Sequence, residues 1–474
     1  MNPRKIAAFA IGPIGGAVLG LITIPTITWF FSQEDVGRMS MMQVAIGFST
    51  LLFSLGLDQA YVREFHEADN KPALLKQAIL PGLSLLLVTL AILLTLGGTL
   101  ANWLFEVDAW QLSWMVAIAL LATFISRFLS LVLRMGEHGL AYSMSQVLPK
   151  LLLLAIISAF VFGGVDKSLS NLILANTSAL VFVCAVFAFN TRKDWIDGLQ
   201  ANLNPEQFKS MLRFGLPLIA SGLAFWSLTA VDKIFLRKLS SFEELGVYSV
   251  AVSFASAAVV LKALFSTVWV PTVYKWVASG ADLEKISLVV RYVLLVVVFF
   301  FSVSGVFSGL VVLVLPDEYS DVRWILVACM AFPLFHLLSE ATVVGIGITR
   351  KSSYALIAPS VSLIVNVIGN IWLIPRFGAA GAAASTSIAF FIFFVIRTEV
   401  SAYLWKMDNR LYLYGYSLIC VLGAVMGALV GPHLGGWLLW YWLVVGLSLV
   451  FFFRTELSEA YRWVSARAIG RDRF

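Results

Sequence analysis

Seven ionisable residues interrupt otherwise apolar stretches of the chain: Asp58, Arg127, Asp232, Lys233, Lys262, His336 and Glu340. Their types point to ion binding rather than bond-making chemistry. An arginine fork matches phosphate oxygens two at a time, and a lysine offers a compact positive charge. A carboxylate nearby can neutralise such a cation or take up a proton or a sodium ion. The four histidines, His66, His138, His336 and His433, are scattered, so no metal site of familiar spacing is present. Cys184, Cys329 and Cys420 each sit in an apolar run without a CxxC or CxxH neighbour, and they read as small core residues. A GxxxxGK[ST] phosphate loop is absent, so any energy input must come from an ion gradient or from removal of product.

The surroundings make these charges unusual. Hydrophobic residues make up 60% of the 474 and charged residues 13%, where a soluble domain carries about 25% charged. Such a chain cannot cover its own surface in water. A membrane-spanning helix needs about 20 mostly apolar residues, and about fourteen such runs follow one another, from 6–31 and 39–62 to 411–430 and 436–453. The expected fold is an all-α polytopic membrane protein. Arg4 and Lys5 ahead of the first run resemble a signal peptide, but no small-residue cleavage site follows, so the run reads as a retained helix.

Lys and Arg set the expected orientation. Of the 33, 24 fall on the side of the N-terminus, 6 fall on the other, and Arg127, Lys233 and Lys262 lie within spans. The inner set includes Lys150, Arg350, Arg397, Lys406 and a tail with Arg462, Arg467, Arg471 and Arg473. Both termini are therefore expected in the cytoplasm. The net charge of +6 is a topology signal and not a nucleic-acid footprint. Trp and Tyr gather at span ends, as at Trp103, Trp110 and Trp114 or Trp437, Trp440, Tyr441 and Trp442, where interface anchoring is expected.

The chain looks duplicated. Asn2-Pro3 opens the first span with Gly12-Pro13 inside it, and Asn204-Pro205 opens the seventh with Gly215-Leu216-Pro217 inside it. Asn is a natural N-cap and Pro suits the first helical turn. Both spans end alike, in Phe31–Gly37 and Leu239–Gly246, and Gly136–Tyr142 corresponds to Gly345–Tyr354. Two six-helix halves related by pseudo-symmetry, 1–203 and 204–408, are expected, followed by two more helices and a basic tail in 409–474. Parallel repeats of this kind occur in transporters.

Four segments resemble the bacterial oligosaccharide flippases of the multidrug/oligosaccharidyl-lipid/polysaccharide exporter superfamily. They are Ser32–Gly37, Gly56-Leu57-Asp58-Gln59-Ala60-Tyr61-Val62-Arg63-Glu64, Phe214–Pro217, and Arg376-Phe377-Gly378-Ala379-Ala380-Gly381-Ala382-Ala383. The resemblance covers essentially the whole chain. It implies a non-enzymatic carrier in the bacterial inner membrane. Its cargo would be an undecaprenyl-pyrophosphate-linked oligosaccharide, moved from the cytoplasmic to the periplasmic leaflet for O-antigen, capsule or exopolysaccharide. A polysaccharide polymerase would be a partner, and the carrier would work as a monomer. Lipid II flippases of the superfamily carry arginines in the first helix; the interior of the first span here has no Lys or Arg.

On this resemblance, Arg127 and Lys262 are expected to attract the pyrophosphate, with Lys233 as a third cavity cation. Glu340 would pair with a cation in the empty cavity. Glu340, Asp58 or Asp232 would serve ion coupling or charge pairing, with H+ or Na+ as the coupling ion and no other cofactor. Asp58, Gln59 and Arg63 belong to the family-like motif. Other readings remain open. Arg127 lies seven residues before Arg134 on one helical face and can snorkel to the headgroups. Lys233 and Arg237 can do the same at the outer side, and Asp232 and Lys233 can form a surface pair. An ion-coupled multidrug or small-solute exporter of the same superfamily is the alternative function. A membrane polymerase or ligase is disfavoured because every outer loop is short.

Overall fold

The computed structural model describes residues 3–95, 99–279, 284–349, 351–405, 410–454, 456 and 458. Asn2, Arg350, Lys406 and the tail arginines 462, 467, 471 and 473 lie outside the described residues. The chain forms two compact units, residues 1–257 and 258–474.

The first unit contains α1 (Pro3–Phe30), α2 (Gln33–Phe53), α3 (Leu57–Glu64), α4 (Lys71–Thr95), α5 (Thr99–Phe105), α6 (Trp110–Met135), α7 (Gly139–Phe162), α8 (Leu169–Asn190), α9 (Arg192–Gln200), α10 (Pro205–Leu239) and α11 (Phe242–Ala255). The second contains α12 (Val259–Ala278), α13 (Glu284–Phe307), α14 (Val322–Cys329), α15 (Ala331–Thr342), α16 (Val344–Ile348), α17 (Ile357–Leu404), α18 (Leu411–Leu434) and α19 (Trp437–Phe452). Polar side chains start several of these helices by accepting from free backbone N–H groups. Ser32 caps α2 through Asp35 N, Ser168 caps α8 through Asn171 N, and Ser241 caps α11 through Glu244 N. Asn204 caps α10 with Pro205 in the first turn, as the Asn-Pro pair predicts.

Among the described residues, 12 helical segments are long and apolar enough to cross a membrane, and Trp437–Phe452 is a shorter apolar helix. Two features separate this from the expected fourteen. The runs 354–374 and 379–404 form one segment, Tyr354–Leu404, of 51 residues. At 1.5 Å per residue it would be about 77 Å long if straight, against a hydrocarbon layer of about 30 Å. It folds back instead. Gly378 adopts φ 51° and ψ −127°, a conformation that L side chains rarely reach. Beyond it the chain returns along itself: a Cβ on Gly381 would lie 2.4 Å from the Leu373 carbonyl oxygen. Further along the hairpin, Ser385 Oγ donates to Asn366 Oδ1 at 2.7 Å. The second feature is α19, which is only 16 residues long.

Within the first unit, α2 and α11 meet at positions separated by a constant 209 residues. A Cβ on Gly37 would stand 2.0 Å from the Phe242 carbonyl oxygen, and one on Gly246 would stand 2.2 Å from that of Gln33. Ser249 Oγ donates to Ser40 Oγ at 2.7 Å. Gly37 and Gly246, Ser40 and Ser249, and the capping residues Ser32 and Ser241 all keep that spacing. In lipid, small residues matter because helices associate through close packing rather than through the hydrophobic effect. Beside this seam, Tyr61, Phe105, Phe124 and Phe128 lie in an apolar core built from α2 to α6 with residues of α8 and α10.

In the second unit, Trp442 departs from the interface role expected for its cluster. It is buried and stacks on Phe301 with centroids 6.4 Å apart, in space that Gly305 leaves open. Trp437 and Trp440 remain exposed, as do Trp103, Trp110 and Trp114. Cys329 and Cys420 are buried and outside any disulfide among the described residues, in keeping with a packing role.

The α2–α11 seam can be tested directly. Gly37→Ala and Gly246→Ala each force a methyl against a backbone carbonyl, an overpacking that typically costs about 1–3 kcal/mol. Each is expected to lower the melting temperature in detergent more than Ser40→Ala, which removes one hydrogen bond worth about 1 kcal/mol. Wild-type melting of both glycine variants would rule out so close an approach.

Candidate functional site

Each unit holds an ion pair within its helices. In the first unit, Gly56 precedes α3 in the left-handed region at φ 67°, and a Cβ there would lie 2.2 Å from the Gly215 carbonyl oxygen of α10. That turn sets Asp58 in the first turn of α3, buried. Asp58 Oδ2 accepts from Arg127 Nη2 at 2.7 Å, from Arg127 Nε at 3.3 Å and from Gln59 Nε2 at 3.1 Å. The Arg127 side chain nevertheless keeps 43% exposure. Two segments singled out in the sequence therefore meet here. Beyond the Gly56–Gly215 contact, Arg63 lies over the Phe214 ring at 4.5 Å, and Gln207 Nε2 donates to Glu64 at 3.2 Å.

Asp232 and Lys233 lie elsewhere in the first unit, on α10. Asp232 is fully buried and accepts from the Tyr248 hydroxyl of α11 at 3.0 Å, so it is an interior group and not half of a surface pair. Lys233 is its partly buried neighbour and feels the Asp232 charge.

In the second unit, Glu340 on α15 is the centre of a larger cluster. Its Oε1 accepts from Arg397 Nη1 of α17 at 2.9 Å and lies 3.5 Å from His336 Nε2, one turn earlier on α15. Its Oε2 accepts from Ser266 Oγ of α12 at 3.4 Å. Arg397 Nη1 also donates to Ser339 Oγ at 2.8 Å. Lys262, one turn before Ser266, is within electrostatic range of Glu340 and His336. The side chains of Glu340 and Arg397 are only 12% and 21% exposed. The rest of the α15–α17 seam is polar as well. The Thr342 and Thr398 hydroxyls share a hydrogen bond of 2.7 Å, Ser401 Oγ donates to the Thr342 carbonyl at 2.7 Å, and Gly345 N donates to Ser401 Oγ at 3.0 Å.

Two cations escape sequence reasoning because both are assigned to inner loops by the charge count. Arg397 lies within α17, and Lys150 lies within α7, where it donates to the Gly16 carbonyl of α1 at 2.6 Å. Their apolar flanks, Phe394-Val395-Ile396 and Leu151-Leu152-Leu153-Leu154, are the signal that could reveal them. No group of three or more His, Cys, Asp or Glu suited to a metal is found among the described residues.

Long apolar helices that carry ion pairs within their spans define a multi-pass membrane protein. A family model described as "Polysaccharide biosynthesis protein" matches residues 4–277, more than half of the chain. No curated protein sequence matches it. Among solved structures, the lipid II flippase MurJ in an inward closed conformation superposes with a TM-score of 0.67 at 14% identity, covering 96% of this chain and 99% of that one. An inward-facing multidrug resistance transporter of the MATE family, in the MOP superfamily, superposes with a TM-score of 0.55 at 16% identity, covering 83% of this chain and 96% of that one. At such identities the likeness is one of fold. The chain belongs to the polysaccharide biosynthesis protein family.

The two ion pairs make a quantitative contrast. Breaking a buried pair by removing one partner costs about 3–5 kcal/mol, because the other charge stays buried. Glu340→Ala and Arg397→Ala are expected to destabilise the protein strongly, and the double variant is expected to be more stable than the two losses added together. For Asp58 and Arg127, with the guanidinium partly open, the same cycle is expected to give a smaller coupling. Thermal melting of the six variants and wild type in one detergent checks this; additive losses at Glu340 and Arg397 would refute the pairing.

Proposed function

We infer that this membrane protein is a transporter, a flippase for an undecaprenyl-pyrophosphate-linked oligosaccharide, carrying it from the cytoplasmic to the periplasmic leaflet of the bacterial inner membrane. The carrying observation is Arg127: a guanidinium inside a membrane-spanning helix, held in place by Asp58 yet 43% exposed. A polar sugar and a pyrophosphate cannot cross hydrocarbon unaided, and an oriented, reachable guanidinium offers phosphate oxygens a bidentate partner. The family match supplies the link to polysaccharide, and the fold likeness to a lipid II flippase supports a lipid-linked cargo. Lipid II itself fits less well, since α1 has no Lys or Arg beyond Arg4 and Lys5 at its start.

In this reading the chain crosses the membrane fourteen times, with the 51-residue segment crossing twice and α19 once, and both termini are cytoplasmic. Residues 1–203 and 204–408 act as two halves that rock in alternating access, and the last two helices accompany the lipid tail. Asp58 releases Arg127 to the pyrophosphate, and Lys262 and Lys233 add positive charge along the route. Glu340 occupies Arg397 in the empty carrier, and an H+ or Na+ gradient couples through Glu340, Asp58 or Asp232. O-antigen, capsule or exopolysaccharide is the destination of the sugar, with a polysaccharide polymerase downstream; the protein acts as a monomer.

A second reading, an ion-coupled multidrug exporter, draws on the fold likeness to the MATE transporter. Binding separates them. The flippase is expected to prefer a polyprenyl-pyrophosphate sugar over hydrophobic cations; the reverse preference would reject it.

In a complementation assay for surface polysaccharide, Arg127→Ala is expected to abolish function and Arg127→Lys to retain part of it, at equal protein levels. Full function of Arg127→Ala would remove Arg127 from the substrate path. For coupling, Glu340→Gln is expected to flatten the pH dependence of transport in proteoliposomes, and an unchanged profile would take Glu340 out of that role.

A further inference from the structure

The α1–α7 packing places a lysine where, among the described residues, no acidic partner meets it. Glycines of α1 face α7 in register: a Cβ on Gly12 would meet Ser143, one on Gly16 would meet Gln146, and one on Gly20 would come within 3.0 Å of Lys150 Nζ. The pairs advance together, so the helices run parallel. Lys150 is eleven residues into α7 and Gly16 thirteen into α1. At 1.5 Å per residue these are depths of roughly 17 and 20 Å, close to the middle of a hydrocarbon layer about 30 Å thick.

The Lys150 ammonium has three donors. One goes to the Gly16 carbonyl, and the side chain is only partly buried. Among the described residues no acidic side chain lies within ion-pair distance of it. The other intramembrane cations differ: Arg127 has Asp58, Arg397 and Lys262 have Glu340, and Lys233 has Asp232. A clip between helices does not need a charge. Elsewhere in this protein neutral hydroxyls perform that task, as when Thr177 donates to the Met115 carbonyl or Ser385 to that of Asn366. A charged side chain at such depth is expensive and marks a substrate or ion path.

We propose that Lys150 binds the phosphoryl group of the lipid-linked substrate near the membrane midplane. The inference rests on the flippase reading and assigns it a residue. Lys150 can turn from the Gly16 carbonyl toward a phosphate oxygen without first giving up a carboxylate, which Arg127 and Arg397 cannot. Gly16 and Gly20 leave the room for that turn.

The test uses the full-length protein in lipid nanodiscs, with undecaprenyl diphosphate and undecaprenol as probes and native mass spectrometry as readout. Lys150→Met is expected to weaken undecaprenyl diphosphate binding at least ten-fold and leave undecaprenol unchanged. Lys150→Arg is expected to stay within about three-fold of wild type, and Lys193→Met, on α9, to match it. On the unaltered protein, acylation of the Lys150 amine by a membrane-permeant reagent is expected to slow when undecaprenyl diphosphate is added. That measurement decides the matter if Lys150→Met does not fold. Wild-type affinity in Lys150→Met, or unslowed acylation, overturns the role of Lys150 while the flippase reading stands. A wild-type protein that does not distinguish the diphosphate from the alcohol removes both.

Discussion

A bilayer core has no water to receive a charged group, so a buried charge is stable only where it finds a partner inside the protein. The arrangement of this chain follows from that constraint. Glu340 gathers Arg397, Ser266 and His336, and Arg397 reaches Ser339 as well. Asp58 takes two nitrogens of Arg127. Thr342, Thr398 and Ser401 satisfy one another and the adjacent backbone along a single helix seam. The charges that remain available to a ligand stand out against these paired groups.

The same solvent weakens the usual reason for helices to stick together. Lipid tails are as apolar as leucine, so helix association relies on close contact. Glycines supply it where backbones nearly touch, at Gly37 and Gly246 between α2 and α11 and at Gly56 and Gly215 between α3 and α10. Read physically, the motif from Gly56 to Glu64 is a left-handed turn followed by a short helix that presents Asp58 to Arg127. The motif from Arg376 to Ala383 is a reversal at Gly378 followed by small residues that let the chain return along its own path. Residues that look like family markers in the sequence are here backbone geometry.

Satisfaction and function pull against each other at the ion pairs. A fully enclosed pair is inert, while an open one gives up part of its mutual attraction to water or ligand. Arg127, oriented by Asp58 but 43% exposed, belongs to the open kind, and Glu340 with Arg397 to the closed kind. A carrier that moves an anion needs a reachable cation, and one that couples to an ion needs a carboxylate whose partner can change. The two pairs offer one candidate for each need.

Much of this was legible in the chain alone. Apolar runs of spanning length are a one-dimensional property, so membrane residence and most helix positions follow from composition and spacing. Asn204-Pro205 opens α10 because capping is a local interaction. The rarity of charges within those runs exposed Asp58, Arg127 and Glu340 as residues of interest. Their partners were not legible. Pairing Asp58 with Arg127 spans 69 positions and Glu340 with Arg397 spans 57, and no local rule selects such partners. Arg397 and Lys150 were hidden because a charge near a span end looks the same whether it snorkels to headgroups or turns inward. The fate of Trp442, buried on Phe301 rather than anchored at the interface, was equally undecided. The sequence by itself determined that this protein lives in lipid and exposed several of the charges it keeps there. Which charges neutralise one another, and which stay open, was decided by the tertiary structure, because electrostatics depends on distance in space and not along the chain.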